Sequence, residues 1–173
     1  MSVVLPDWRI RALCEGGMIE PFDPTRINPA SLDVTLGTNL YVETEDGGLL
    51  PMKISEHTRE NPFLLRPNEF ILAETAEIFN IPDFISAQFV LKSSLARAGL
   101  EHLLAGYIDP GFNNSVLTLE FKNAKQFSAF PLWPGMRCGQ IIFTEMSDVP
   151  QTSYRYTGRY NFDGKVSRSK GLL

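Results

Sequence analysis

Along most of this chain apolar and polar residues alternate with a period of two. Leu32, Val34 and Leu36 are interleaved with Ser31, Asp33 and Thr35, the pattern of a strand with one buried face. Leu40 with Val42, Phe70 with Leu72, Phe89 with Leu91, and Leu117 with Leu119 and Phe121 repeat that spacing. Helical spacing is confined to two places. Ile10, Leu13 and Cys14 mark a helix over Asp7 to Glu15, entered at Pro6 and stopped by Gly16-Gly17. A second, short helix is predicted at Ser94 to Ala98, just after the strand ending at Leu91. Turn signals separate the strands: Asp46-Gly47-Gly48, Arg66-Pro67-Asn68, Asp109-Pro110-Gly111 and Trp133-Pro134-Gly135. Many short strands so punctuated predict a mainly β fold, a sandwich or barrel-like domain.

Composition narrows the class. With 173 residues, 43% of them hydrophobic and 21% charged, the chain can bury one ordinary core, and without repeats or linkers it reads as a single domain over residues 1–173. No apolar run approaches the ~20 residues of a membrane helix, and Met1 to Asp7 lacks the pattern of a secretion signal. The expectation is a soluble cytoplasmic protein. Two cysteines, Cys14 and Cys138, supply neither a disulfide framework nor a four-cysteine zinc site, and both read as small core residues. Trp8 and Trp133 read as packing residues.

A net charge of −4 argues against a general nucleic-acid binder. The charge is uneven. Arg155, Arg159, Lys165, Arg168 and Lys170 face only Asp163 over residues 155–170, so a basic tail follows an acidic body. Such a tail is either a solvated terminus or, over residues 155–173, a mobile flap that closes on an anionic ligand.

Several chemistries are excluded. The sequence has no Gly-rich nucleotide fingerprint, P-loop or Gly-x-Ser-x-Gly elbow, and its only histidines are His57 and His102. The zinc-deaminase signature is missing too. Catalysis has to rest on carboxylates, hydroxyls and arginine. Three segments could supply it. In Leu91 to Leu100 a strand ends and Ser93-Ser94 offer an N-cap to a short helix carrying Arg97, an arrangement suited to a phosphate or to plain capping. In Ala105 to Phe112, Asp109 either caps the Asp-Pro-Gly turn or accepts a hydrogen bond from a sugar hydroxyl. In Val116 to Asn123, Glu120 leaves the strand on the face opposite Leu117, Leu119 and Phe121, with Thr118 beside it. That face is either solvent or a cleft, where a desolvated carboxylate could both accept and deliver a proton.

In this order the segments resemble the dCTP deaminase family, trimeric relatives of the dUTPases. The resemblance also takes in Ile27-Asn28-Pro29-Ala30-Ser31-Leu32-Asp33, Leu36-Gly37, Trp133-Pro134-Gly135-Met136 and Gly139-Gln140. It implies a distorted β-barrel or jelly-roll of the dUTPase-like type, with the N-terminal helix and the short helix near Ser94 to Ala98, and a homotrimer with sites between subunits. The activity implied is hydrolytic deamination of dCTP to dUTP for thymidine nucleotide synthesis, without zinc and with Mg²⁺ on the triphosphate. Carried onto matching positions, Glu120 is the acid/base, Ser93 and the carbonyl of Ala105 hold the water, and Arg97 sits near Glu120. Lys92, Ser94 and Arg159 address phosphates, Asp109 meets the deoxyribose, and Thr118 with Leu119 meets the base. Tyr154, or alternatively Tyr156, contacts the nucleotide.

Departures from the family pattern matter. Lys92 stands where many members have Arg, the tail reads Arg159-Tyr160-Asn161-Phe162-Asp163, and Leu103-Leu104 replaces a more polar pair. The alternative reading is a bifunctional enzyme that also cleaves the triphosphate to dUMP and pyrophosphate. Gly106 after Ala105 resembles those members, and Asp109 would then activate the hydrolytic water. A dUTPase fits less well, for the Gly-rich phosphate arm has no counterpart. A non-catalytic nucleotide-binding trimer has little need of Glu120. His102 is given a structural or regulatory place.

Overall fold

A computed structural model describes residues 2–171, so the last two residues of the expected flap, 172 and 173, lie outside the described residues. In chain order the elements are β1 (Val3–Val4), α1 (Asp7–Glu15), β2 (Ile19–Glu20), β3 (Ile27–Asn28), β4 (Ser31–Thr35), β5 (Asn39–Glu43) and β6 (Leu49–Lys53). There follow β7 (Phe63–Leu65), β8 (Phe70–Asn80), β9 (Ile85–Leu91), α2 (Ser93–Arg97), β10 (Leu100–His102) and β11 (Tyr107–Ile108). The chain closes with β12 (Asn113–Asn123), β13 (Phe130–Leu132), β14 (Arg137–Glu145) and α3 (Tyr154–Thr157).

The alternating segments became strands of two six-stranded sheets. One runs β11-β9-β14-β4-β3 with β1 on β14, the other β10-β12-β8-β5-β6 with β2 on β8, and β13 pairs β7 separately. Every pairing is antiparallel. Each path has two ends, so the expected distorted barrel is realised as two open sheets that share one core. Val34, Phe89, Ile141 and Phe143 from the first sheet and Ile71, Leu117, Leu119 and Phe121 from the second belong to the same buried cluster. The turn signals hold their places: Gly111 and Gly135 sit at φ of 90° and 79°, where a side chain would strain the backbone.

Helix α1 matches its expected bounds, burying Ile10 and Cys14, with Pro6 as its N-cap and Gly16 at its end. Trp8, expected to pack, is instead 67% exposed, because it points away from the Ile10–Cys14 stripe; Trp133 does pack against the core. Helix α2 begins at Ser93, and its N-cap is Lys92 rather than a serine, with no side-chain capping bond. Ser93 and Ser94 therefore keep their hydroxyls for other partners. The short helix α3 carries no apolar period and was not expected; Ser153 caps it by accepting from the Arg155 amide at 3.1 Å.

Strand β4 departs from its half-buried expectation. Ser31 and Asp33 are buried along with Leu32 and Val34. Their polar groups are met inside the protein: Ser31 donates to Gln140 Oε1 at 2.8 Å, and Asp33 accepts from Asn28 Nδ2 at 2.8 Å and Lys92 Nζ at 2.7 Å. Alternation reads which residues differ in polarity, not whether a neighbouring strand supplies partners for the polar ones.

Candidate active site

Strand β12 carries the site because its two faces do different work. Leu117, Leu119 and Phe121 enter the core while Thr118 and Glu120 stay partly accessible. The second face opens into a cleft of about 630 Å³ lined by Thr118 and Glu120 of β12, Asp109 at the end of β11, Ala105, Tyr154 and Arg168 among others. Phe70 and Leu72 of β8 add apolar lining, and Ser167, Arg168 and Ser169 of the tail line the cleft as well. The geometry depends on an irregularity. Between Val116 and Thr118 the β12–β8 register shifts. The Thr75 hydroxyl spans the gap, accepting from the Leu117 amide at 3.0 Å and donating to the Glu77 carbonyl at 2.9 Å.

Glu120 has an unusual position for a carboxylate. Its side chain is 25% exposed, and its Oε2 is buried without a hydrogen-bond partner. The nearest basic group is His102 Nε2 at 3.4 Å, which also lacks a partner and lies against the Phe89 ring at 4.7 Å between centroids. Oε2 thus faces His102 in the interior, and the exposed quarter of the side chain is what Glu120 presents to the cleft. Asp109 is exposed at the rim, and Tyr154 packs on Phe112 with ring centroids 6.0 Å apart. Burial pushes the Tyr154 phenol up, opposed by a hydrogen bond with the Tyr160 backbone and aided by Asp109, and the phenol stays protonated at neutral pH as an ordinary tyrosine does.

The structure thus divides the expected residues in two. Glu120, Ala105, Asp109, Thr118 and Tyr154 meet in the cleft. Leu119 lies behind it, lining a recess of about 30 Å³ with Phe89, His102 and Gly106. Lys92, Ser93, Ser94 and Arg97 do not line the cleft of this chain, and neither do Arg159 nor the 82% exposed Tyr156. Ser93, Ser94 and Arg97 are exposed, whereas Lys92 grips Asp33. Sequence reasoning missed the cleft residues Tyr107, Tyr160, Ser167 and Ser169, and named Arg168 only as one of the basic residues of the expected flap. The Ser167-Arg168-Ser169 run in the basic tail was the available signal. Only the folded chain shows Arg168 donating to the Leu49 carbonyl at 2.6 Å and lying 4.9 Å over Tyr41.

Two open antiparallel sheets with Asp109, Glu120 and Arg168 lining one cleft define a β-fold binding scaffold, and comparison gives it a family. A family model described as dCTP deaminase-like matches residues 4–146. The chain belongs to that family. Proteins named dCTP deaminase, dUMP-forming, from Sulfurihydrogenibium sp. and Streptomyces coelicolor are each 35% identical to it; the alignments cover 99% of this chain and 98% and 96% of those relatives. One from Persephonella marina is 34% identical over 99% of this chain and 98% of its own length. The fold is shared with the crystal structure of 2′-deoxycytidine 5′-triphosphate deaminase from Agrobacterium tumefaciens, at a TM-score of 0.66 and 22% identity over 83% of this chain and 48% of that one. This chain therefore spans about half the length of that solved chain. Among the described residues no helix is long and apolar enough to cross a membrane.

Proposed function

We propose that this protein removes the amino group of dCTP by hydrolysis and then cleaves the triphosphate, releasing dUMP and pyrophosphate. One observation carries the deamination: the quarter-exposed carboxylate of Glu120 lines the same cleft as Thr118, Asp109 and Tyr154. Glu120 takes a proton from water as its oxygen adds to C4 of the cytosine ring, and delivers it to N3. A second transfer through the same carboxylate lets the 4-amino group leave as ammonia, and the ring keeps a carbonyl. Thr118 bounds the base, Leu119 backs that strand from the core, and Tyr154 donates to the nucleotide.

The dUMP-forming reading is supported over release of dUTP by the names of the relatives and by the path of β11. Gly106 lets that strand press on β9: its carbonyl accepts from the Phe89 amide at 2.7 Å, where a Cβ would come within 2.5 Å of the Phe89 carbonyl oxygen. In this reading Asp109, exposed where it lines the cleft, activates a water for attack on the α-phosphorus. The bond from that phosphorus to the bridging oxygen breaks, and pyrophosphate leaves.

The residues around α2 have a place in this scheme only if a second copy brings them to the cleft. We therefore propose a homotrimer with sites between subunits, in which Ser93 with the Ala105 carbonyl holds the attacking water, Arg97 stands near Glu120, and Lys92, Ser94 and Arg159 address phosphates. Mg²⁺ bound to the triphosphate would neutralise its charge. The cleft's own donors are two carboxylates, Asp109 and Glu120, and among the described residues no three His, Cys, Asp or Glu side chains converge on a metal. That set fits an ion carried by phosphates better than one caged by protein.

Incubation with dCTP and Mg²⁺, followed by anion-exchange separation of nucleotides, tests the proposal. Appearance of dUMP and pyrophosphate without accumulation of dUTP is the expected result. Accumulating dUTP would reduce the activity to deamination alone and leave Asp109 a binding residue. Unchanged dCTP would overturn the proposal.

A further inference from the structure

Strand β8 carries a glutamate that none of the chemistry above uses. Glu74 is 5% exposed in a segment that is otherwise largely apolar. It pairs directly with Thr118 across the β8–β12 ladder, so both side chains leave on the cleft face. The fold makes room for it. A Cβ on Gly37 would lie 2.5 Å from the Glu74 Cγ, and the Gly37 amide donates to the Glu74 carbonyl at 2.8 Å. The two carboxylate oxygens have separate partners. Oε1 accepts from the Asn39 amide at 3.1 Å and Asn39 Nδ2 at 2.6 Å, while Oε2 accepts from the Val166 amide at 2.7 Å. Val166 is buried in a basic, otherwise exposed stretch of tail, and the next amide, of Ser167, donates to Thr118 Oγ1 at 3.1 Å. Beyond it Arg168 and Ser169 enter the cleft, and Arg168 is the cation among the lining residues.

We infer that Glu74 is a positioning residue that latches the C-terminal strap over the cleft, so that Arg168 faces the bound anion. The inference rests on the proposed nucleotide reaction only for its effect on substrate; the latch itself is a property of the folded chain. Gln in place of Glu is a sharp probe. It keeps the shape and can still accept from Asn39, but its amide nitrogen then meets the Val166 N–H, two donors face to face. Val166→Pro removes the same bond from the other side, in a segment outside the sheets.

The test has two readouts. Hydrogen exchange of the strap amides of residues 160–171 should quicken about tenfold or more in Glu74→Gln, the size expected when a buried charged acceptor is lost. The KM for dCTP should rise by about tenfold with kcat changed far less, and Val166→Pro should match both changes. In a Val166→Pro background, Glu74→Gln should add nothing further to KM. Unchanged strap exchange in Glu74→Gln would overturn the latch. So would an equal further KM increase in that background, which would place the effect in Asn39 and β5. Exchange does not depend on turnover, so an inactive enzyme would refute the proposed reaction and leave the latch to be decided by the first readout.

Discussion

Replacing Lys92 by Met tests what that residue is for. In the structure it is a strut: Nζ sits 2.7 Å from both oxygens of Asp33, whose side chain is 2% exposed. Breaking a buried ion pair by removing one partner costs ~3–5 kcal/mol, because the other charge stays buried. Two features reduce that figure here. Lys92 is itself 27% exposed, and Asp33 keeps Asn28 at 2.8 Å and Arg137 at 3.5 Å. A loss of about 2 kcal/mol remains. For a chain of this size that corresponds to a fall in Tm of about 4–8 °C, read by thermal unfolding at fixed protein concentration. Asp33→Asn should also destabilise, and the double variant should cost less than the two single losses together, since no unpaired charge remains. A Lys92→Met protein that melts within about 1 °C of the parent, with losses that simply add, would refute the strut. A raised KM for dCTP with an unchanged Tm would leave Lys92 its proposed phosphate role and remove the strut.

Glu120→Gln should lower deamination by about 10²–10⁴-fold, measured by ammonia release, while nucleotide binding and the unfolding midpoint stay as they were. Persistent turnover would end the proposed role of Glu120. Gly139→Ala should destabilise by about 2–3 kcal/mol in urea unfolding, because its Cβ would stand 2.0 Å from Cε2 of the buried Phe89 ring. Burial pushes the Cys14 thiol up to about 12 and raises Cys138 as well. A thiol raised above its unfolded value, about 8.5, contributes stability in full below that pH and loses it as the pH climbs toward 12. The urea midpoint should therefore fall above about pH 9, less steeply in Cys14→Ala, and at pH 8 a thiol reagent should label neither cysteine before unfolding.

Much of the fold was legible because its signals are local. Helix α1 needs only the Ile10–Leu13–Cys14 spacing between a proline and two glycines, and β12 shows its two faces in plain alternation. The face of Glu120 was legible for the same reason, but alternation left that face as either solvent or a cleft, and only the family resemblance pointed to a catalytic role. Asp33 resisted such reading. In sequence it looks like the wet side of a strand, yet Lys92, 59 residues away, makes its burial tolerable. Helix α3 rests on the Ser153 cap and on the Tyr154 amide donating to the Pro110 carbonyl at 3.0 Å, neither of which has a periodic signature.

The sequence by itself determined strands β4, β5, β8, β9 and β12, the first helix, the turns and the polarity of the β12 face, since these follow from side-chain periodicity and backbone preference within a few residues. Tertiary structure decided which of those groups share a cleft. It set Asp109 and Tyr154 beside Glu120, left the residues around α2 outside, tied Lys92 to Asp33, and brought the tail back to Glu74. The reason is physical: a buried polar group must find a partner, and which partner lies within 3 Å is a property of the packed sheets, not of the neighbouring residues in the chain.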